Sequence, residues 1–345
     1  MSLRTEIFEQ PDVLDRLLRT QKETVGDMAA AIHRNAVRSI FVAARGTSDN
    51  AALYGKYLWG AVNRLPVAMA TPSLFTVYKT PPKLEGALVV GISQSGQSPD
   101  IVGVVAEGRR QGNLTLAITN DPKSPLAEQA DLVIDTAAGP ELAVAATKTY
   151  SAQLLAIALL SAALSGEARQ LEELERLPDL MRQALELDGA IEKAVERYRY
   201  MSQCVVLGRG YNYATAYEWA LKLKELTYVV AEPYSSADFQ HGPVAIVTHG
   251  FPVLAVVPAG AVLDDVLALL ETLVGKRQAE LLAVSNDDRV LALAKTPLRL
   301  PADLPEWLSP LVAIVPAQLF CYHLTRAMGY DTEAPRGLSK VTRTL

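Results

Sequence analysis

Ala87-Leu-Val-Val-Gly-Ile92 runs directly into Ser93-Gln-Ser-Gly-Gln-Ser98, and from about Asp100 to Gln111 the apolar residues return at helical spacing. A short apolar strand, a hydroxyl-rich turn and a helix in immediate succession open a βα unit. The stretch before it has the same form. Ser39-Ile-Phe-Val-Ala-Ala44 reads as a strand, Arg45-Gly-Thr-Ser48 closes it, and Asp49 to Trp59 reads as a helix. Leu114–Ile118 and Asp131–Asp135 add a third and a fourth strand. Strands of about five residues alternating with longer helices predict a parallel sheet covered on both faces.

The pattern returns in the second half. Gln203–Leu207 leads into Gly208-Arg-Gly210 and a helix from about Asn212 to Tyr228. Pro252–Val257 leads into Pro258-Ala-Gly260 and a helix through Leu269, and Leu281–Val284 ends in Ser285-Asn286-Asp287, as Ile118 ends in Thr119-Asn120-Asp121. Gly46 to Gly96 is 50 residues and Gly208 to Gly260 is 52, while Gly96 to Asn120 is 24 and Gly260 to Asn286 is 26. Three landmarks in matching order predict two sequential copies of one α/β fold. The chain divides into an N-terminal helical segment (1–37), a first α/β domain (38–165), a helical connector (166–200) in which Pro178 separates two helices, a second α/β domain (201–330) and a C-terminal tail (331–345).

The 345 residues are 50% hydrophobic and 21% charged, enough apolar material for two cores and too much for a disordered chain. The net charge of −5 argues against a nucleic-acid-binding surface spread along the chain, which needs clustered cations. Cys204 and Cys321 lie 117 residues apart with no CxxC pair, so neither a disulfide framework nor a structural zinc site is expected, and the usage suits a reducing cytoplasm. The four histidines are too scattered for a metal site. Met1 to Pro11 lacks the apolar core of a signal peptide. The longest strongly apolar stretch, Ser151 to Leu164, is short for a membrane span and reads as a buried helix.

The two copies differ in their strand-end loops. In the first, Ser93-Gln94-Ser95-Gly96-Gln97-Ser98 and Gly46-Thr47-Ser48 place hydroxyls beside helix N-termini, the composition of an anion cradle. The alternative reading of the first loop is a polar turn with a serine N-cap. No Walker lysine follows, which argues against a nucleoside triphosphate. The corresponding loop of the second copy, Pro258-Ala-Gly260, carries no hydroxyl. That copy instead has Glu218, Lys222 and Glu225 at i, i+4 and i+7 on one helix face, with Lys224 on another. This is either a solvated ladder of ion pairs or a carboxylate beside a lysine fit for general-base work. His241, in Gln240-His-Gly-Pro243, is either a structural loop residue or a group that titrates near neutrality.

Taken together, Gly46-Thr-Ser48, Ser93-Gln-Ser-Gly96, Ala138-Gly-Pro-Glu141 with Thr147-Lys148, Glu218…Lys222…Glu225, His241-Gly-Pro243 and Pro335-Arg-Gly-Leu-Ser-Lys340 resemble the double sugar-isomerase (SIS) domain family, that of the isomerase half of glucosamine-6-phosphate synthase. Glu6-Ile-Phe-Glu-Gln-Pro11 resembles the segment leading into that half. The resemblance implies two SIS domains, each a flavodoxin-like three-layer αβα sandwich. It further implies that Ser48, Ser93, Gln94, Ser95 and Ser98, flanked by Gly46 and Thr47, bind a sugar phosphate. By the same resemblance Glu225 moves a proton between C1 and C2, supported by Glu218 and Lys222. His241 assists ring opening from a neighbouring subunit, so a homodimer with a shared site is implied. Lys340, in the tail, forms a Schiff base with the open-chain ketose. Val144 and Ala146 fall on the family's sugar-contacting stretch, where Ala146 stands in place of a serine and removes a hydroxyl contact.

The family's synthase begins with a glutaminase domain whose nucleophile is an N-terminal cysteine, and here Met1 leads directly into the isomerase-like segment. The expectation is therefore a cytoplasmic, cofactor-free and metal-free isomerase/deaminase that converts glucosamine 6-phosphate to fructose 6-phosphate and ammonia, with no nucleic-acid or membrane partner. The rival readings are a deglycase of fructosyl-amino-acid phosphates and a non-catalytic phosphosugar sensor.

Overall fold

In the computed structural model, which describes residues 2–340, ten strands form two separate sheets. The first contains β1 (Ser39–Ala43), β2 (Val67–Met69), β3 (Ala87–Ser93), β4 (Thr115–Thr119) and β5 (Leu132–Asp135) in the order β2-β1-β3-β4-β5. The second contains β6 (Gln203–Gly208), β7 (Val230–Ser235), β8 (Pro252–Val256), β9 (Glu280–Ser285) and β10 (Thr296–Arg299) in the order β10-β9-β8-β6-β7. Every pairing is parallel, and in chain order both sheets are 2-1-3-4-5. The predicted duplication is thus a duplication of topology.

Three strands, β2, β7 and β10, have no counterpart in the sequence reading. All are edge strands. β2 is three residues long and only partly buried, and β7 and β10 carry Pro233 and Pro297. An edge strand needs one hydrogen-bonded side only, so it tolerates proline and shows no continuous apolar run. Two boundaries also shift. The helix after β1 starts at Thr47, so Thr47 and Ser48 lie in its first turn, and the helix after β3 spans Pro99–Arg110.

The chain forms two compact units. The unit of the first sheet comprises Asp12–Glu141, Lys148–Arg176 and the tail from Ser339. Its core packs Ala43, Val89 and Ala117 of the sheet against Ile101, Val104 and Val105 of a covering helix. The apolar helix Lys148–Ser165 is buried along nearly its whole length, as the sequence leads one to expect. Gly96 shows how tightly this unit is built. Its φ is +61°, and a Cβ there would lie 2.0 Å from Ser124 Oγ, whereas Gly46, at φ +54°, has open space around it. Gly96→Ala is therefore expected to cost about 3 kcal/mol, combining overpacking with left-handed strain, and Gly46→Ala about 1 kcal/mol from strain alone. Denaturant titration of both variants checks the ordering.

The unit of the second sheet comprises the chain up to Pro11, Leu142–Thr147 and Leu177–Leu338. Around this sheet, Val205, Val253 and Leu281 pack against Val266 and Leu270. The stretch Glu306–Ala327 corrects the sequence reading of the longest apolar segment: it is long and apolar enough to cross a membrane, and its 18-residue apolar window is buried here. Pro310, Pro316, Gln318 and His323 interrupt its apolar run, which is why Ser151–Leu164 stands out more in the sequence. Phe320 on this helix meets Trp219 and Tyr198 edge-on. Leu177, Leu180, Met181 and Ala184 are buried on a helix that begins one residue before Pro178.

His323, given no role from sequence, is buried in the same unit. Its Nε2 lies 2.7 Å from Asp188 Oδ1, its Nδ1 lies 3.9 Å from Glu192, and Arg4 donates to Asp188 Oδ2 at 2.6 Å. Burial raises the Asp188 carboxyl, but the hydrogen bonds and charges of Arg4 and His323 outweigh it and hold it below its ordinary 3.8. A depressed carboxylate contributes stability above its unfolded value and loses it as pH falls through the folded one. Asp188→Asn is accordingly expected to cost about 1 kcal/mol at pH 7. The gap from wild type should close as pH drops below about 4, and thermal melts at stepped pH measure it.

Candidate active site

In the first unit, β1 and β3 are neighbours at the point where the strand order reverses, so their C-terminal loops lie side by side at the place where open α/β sheets bind ligands. Gly46-Thr47-Ser48 follows β1 and Gln94–Ser98 follows β3, each leading into a helix N-terminus whose partial positive charge suits an anion. The serines are oriented as acceptors within the protein. Ser48 Oγ, nearly buried, accepts from Gln153 Nε2 at 3.0 Å. Ser93 Oγ accepts the Gly96 N–H at 3.1 Å, and Ser95 Oγ accepts the Gln97 N–H at 3.3 Å. A hydroxyl that accepts from the protein retains its own proton to donate. Ser98 stands at the N-cap of the following helix, yet its side chain makes no capping bond.

Two supporting groups around these loops, Asp100 and Asn120, were not singled out as site residues from sequence. Asp100, fully buried, accepts from Arg45 Nε at 2.8 Å and so ties the start of the β3 helix to the end of β1. Asn120, known from sequence only as a spacing landmark, donates its backbone N–H to Gln94 O at 3.1 Å. Its side chain donates to Gly139 O and accepts from the Thr136 hydroxyl and the Ala138 N–H, at 2.8–3.0 Å. Lys340 of the tail lies in this unit, with Nζ 2.6 Å from Glu141 Oε2. Glu141 is buried and also accepts the N–H and hydroxyl of Thr149, at 3.1 and 2.8 Å.

The second unit treats the equivalent loop differently. At Pro258-Ala-Gly260 the carboxylate of Glu306 accepts the Ala261 N–H at 2.9 Å, and a Cβ on Gly260 would overlap that carboxyl group. A carboxylate of the chain itself fills the place where the first unit presents serines. Asn286 repeats the role of Asn120, accepting from Ala259 N–H at 2.7 Å and donating to Pro301 O.

Glu218, Lys222 and Glu225 project from the helix Tyr213–Thr227 that follows β6. Glu218 is fully buried, Lys222 is 2% exposed and Lys224 faces solvent, so the set is not a solvated ladder. Lys222 Nζ lies 2.5 Å from Glu225 Oε2 and 3.4 Å from Glu218 Oε1. Burial disfavours the ammonium, but Glu218 and Glu225 together outweigh it and hold Lys222 above the ordinary lysine value. The Glu225 side chain is 23% exposed, so one end of a buried charged triad reaches the surface. In the same unit His241 is exposed directly after the helix Ser236–Gln240 that ends the β7 connection. Val144 and Ala146 are half-buried on a segment held by Glu6, whose buried carboxylate accepts the N–H groups of Leu142 and Ala143. Among the described residues, no group of three or more His, Cys, Asp or Glu is placed to hold a metal ion.

A duplicated 2-1-3-4-5 parallel sheet with hydroxyl-rich strand-end loops in one copy and a buried Glu–Lys–Glu helix in the other defines a two-domain α/β protein of the sugar-isomerase type. The chain belongs to the SIS domain family, whose model matches residues 35–163 and 200–328. It is 34% identical over 97% of its length to the glutamine–fructose-6-phosphate aminotransferase [isomerizing] of Thermus thermophilus, covering 57% of that protein. It thus spans little more than half the length of the curated relatives it matches. Among solved structures, the C-terminal domain of glucosamine-fructose-6-phosphate aminotransferase from Francisella tularensis superposes with a TM-score of 0.87 at 30% identity, covering 96% of this chain and 98% of that one. The glucosamine-6-phosphate deaminase of Thermotoga maritima shares the fold over the full length of both chains, with a TM-score of 0.79 at 22% identity.

Proposed function

We propose that the protein is an amino-sugar-phosphate isomerase/deaminase that converts glucosamine 6-phosphate to fructose 6-phosphate and ammonia. The observation that carries this reading is the Glu218–Lys222–Glu225 triad. A fully buried carboxylate and a buried ammonium fix the position of Glu225, whose carboxylate reaches the surface as a base for a carbon-bound proton. The hydroxyls of Ser48, Ser93, Ser95 and Ser98, with Gln94 and the backbone of Gly46 and Thr47, receive the phosphoryl group. His241 of each copy in a homodimer opens the sugar ring in the site of the other. Glu225 takes the proton from C2 and returns it to C1, giving a ketimine that water hydrolyses. Lys340 forms its Schiff base with the C2 carbonyl of the open-chain ketose. Val144 and Ala146 line the sugar, and Ala146 offers it no hydroxyl. The relatives named for glutamine–fructose-6-phosphate aminotransferase support this choice of substrates.

The test is to incubate the purified protein with glucosamine 6-phosphate and follow ammonia and fructose 6-phosphate together. Equal release of both is expected. Consumption of a fructosyl-amino-acid phosphate in place of glucosamine 6-phosphate would make the protein a deglycase, and binding without turnover would make it a sensor.

A further inference from the structure

Resting on the reading of Lys340 as the Schiff-base lysine, we propose that Glu141 is its proton-shuttling partner. Lys340 Nζ lies 2.6 Å from Glu141 Oε2, and an ammonium held in an ion pair is not a nucleophile until its proton has somewhere to go. Glu141 is built to take it. Its carboxylate is buried, and Thr149 donates both its N–H and its hydroxyl to it at the start of the helix Lys148–Ser165, so its position does not depend on Lys340. Lys148, beside Thr149 in the chain, is the other buried charge of this stretch.

The step balances without any further reactant. Glu141 accepts one proton from the Lys340 ammonium, and the free amine adds to the C2 carbonyl of the open-chain ketose to give a carbinolamine. Glu141 returns the proton to the carbinolamine hydroxyl, which leaves as water while the nitrogen lone pair forms the C=N bond. The result is an iminium cation and one water from an ammonium and a ketone, with Glu141 again ionised beside the positive nitrogen. Opposite charge at that distance favours the iminium over the neutral carbinolamine.

Borohydride reduction in the presence of fructose 6-phosphate, with the adduct located by peptide mass mapping, tests this across pH 6–9. Wild type is expected to trap on Lys340 with a rate that changes little over that range. Glu141→Gln should trap at least about tenfold more slowly near pH 7, the scale of a lost acid–base group, and its rate should climb with pH as solvent takes over deprotonation. Glu141→Asp should recover part of the rate, and it serves as the deciding variant should the glutamine protein fold poorly. Thr149→Val, which leaves the carboxylate facing Lys340, should keep the flat profile. An adduct in wild type with the same rate and profile in Glu141→Gln or Glu141→Asp overturns the shuttle alone. No Lys340 adduct in wild type overturns the Schiff-base reading and the shuttle with it.

Discussion

Glu225→Gln should reduce turnover of glucosamine 6-phosphate by about a thousandfold, the range of a lost general base, while leaving KM within about threefold. The amide keeps the size of the side chain and a hydrogen-bonding oxygen for Lys222, now 2.5 Å from Glu225 Oε2, so the packing of the helix should be preserved. What disappears is the only atom of the triad that combines negative charge with access to the surface. The same variant should stop exchange of the C2 hydrogen into deuterated water, a readout that a purely structural residue would not move. A Glu225→Gln protein that keeps a tenth of wild-type turnover would remove the base from the mechanism and leave the fold assignment intact.

Lys222→Ala is expected to be the most destabilising single change in the second unit. Lys222 is 2% exposed and faces the fully buried Glu218 as well as Glu225. Removing one partner of a buried ion pair strands the other charge and typically costs about 3–5 kcal/mol. In a chain of this size that lowers the melting temperature on the order of 10 °C. The pH dependence has a definite sign. Because Lys222 is held above its ordinary value of 10.5, the stability it contributes is fully present at neutral pH and is lost only as pH rises through the folded value. In the variant, Glu218, deprived of that ammonium, is relieved by taking up a proton, so the loss should shrink from pH 8 to pH 5. Calorimetric melts across that range measure it. A penalty below about 1 kcal/mol would mean that the pair is solvated after all, in the range of surface salt bridges.

The contrast between the two strand-end loops bears on how a duplicated fold divides its labour. Gly96 and Gly260 hold the same place in the two copies. One turn presents serine hydroxyls, and the other is occupied by the Glu306 carboxylate. A carboxylate at a helix N-terminus meets the same backbone N–H groups that an external anion would use.

The strand–turn–helix grammar, the repeat and the two chemically distinct loops were legible because each depends on residues close together in sequence. The apolar run Ala87–Ile92 and its hydroxyl turn need no distant partner to be recognised, and the i, i+4, i+7 spacing alone puts Glu218, Lys222 and Glu225 on one face. Burial of that face was another matter. Sequence left a solvated ladder and a general-base carboxylate both open, and packing of the helix Ser309–Ala327 against Tyr213–Thr227, with Trp219 meeting Phe320, rules out the solvated ladder. Edge strands β2, β7 and β10 escaped because one-sided pairing imposes no apolar signature. The ion pairs Arg45–Asp100 and Lys340–Glu141 and the Glu306 plug escaped because they join positions 55, 199 and 45 residues apart. Spacing along a chain predicts which residues share a face, but only the closed tertiary structure determines whether that face is buried. Burial separates a carboxylate in water from one held against a buried ammonium.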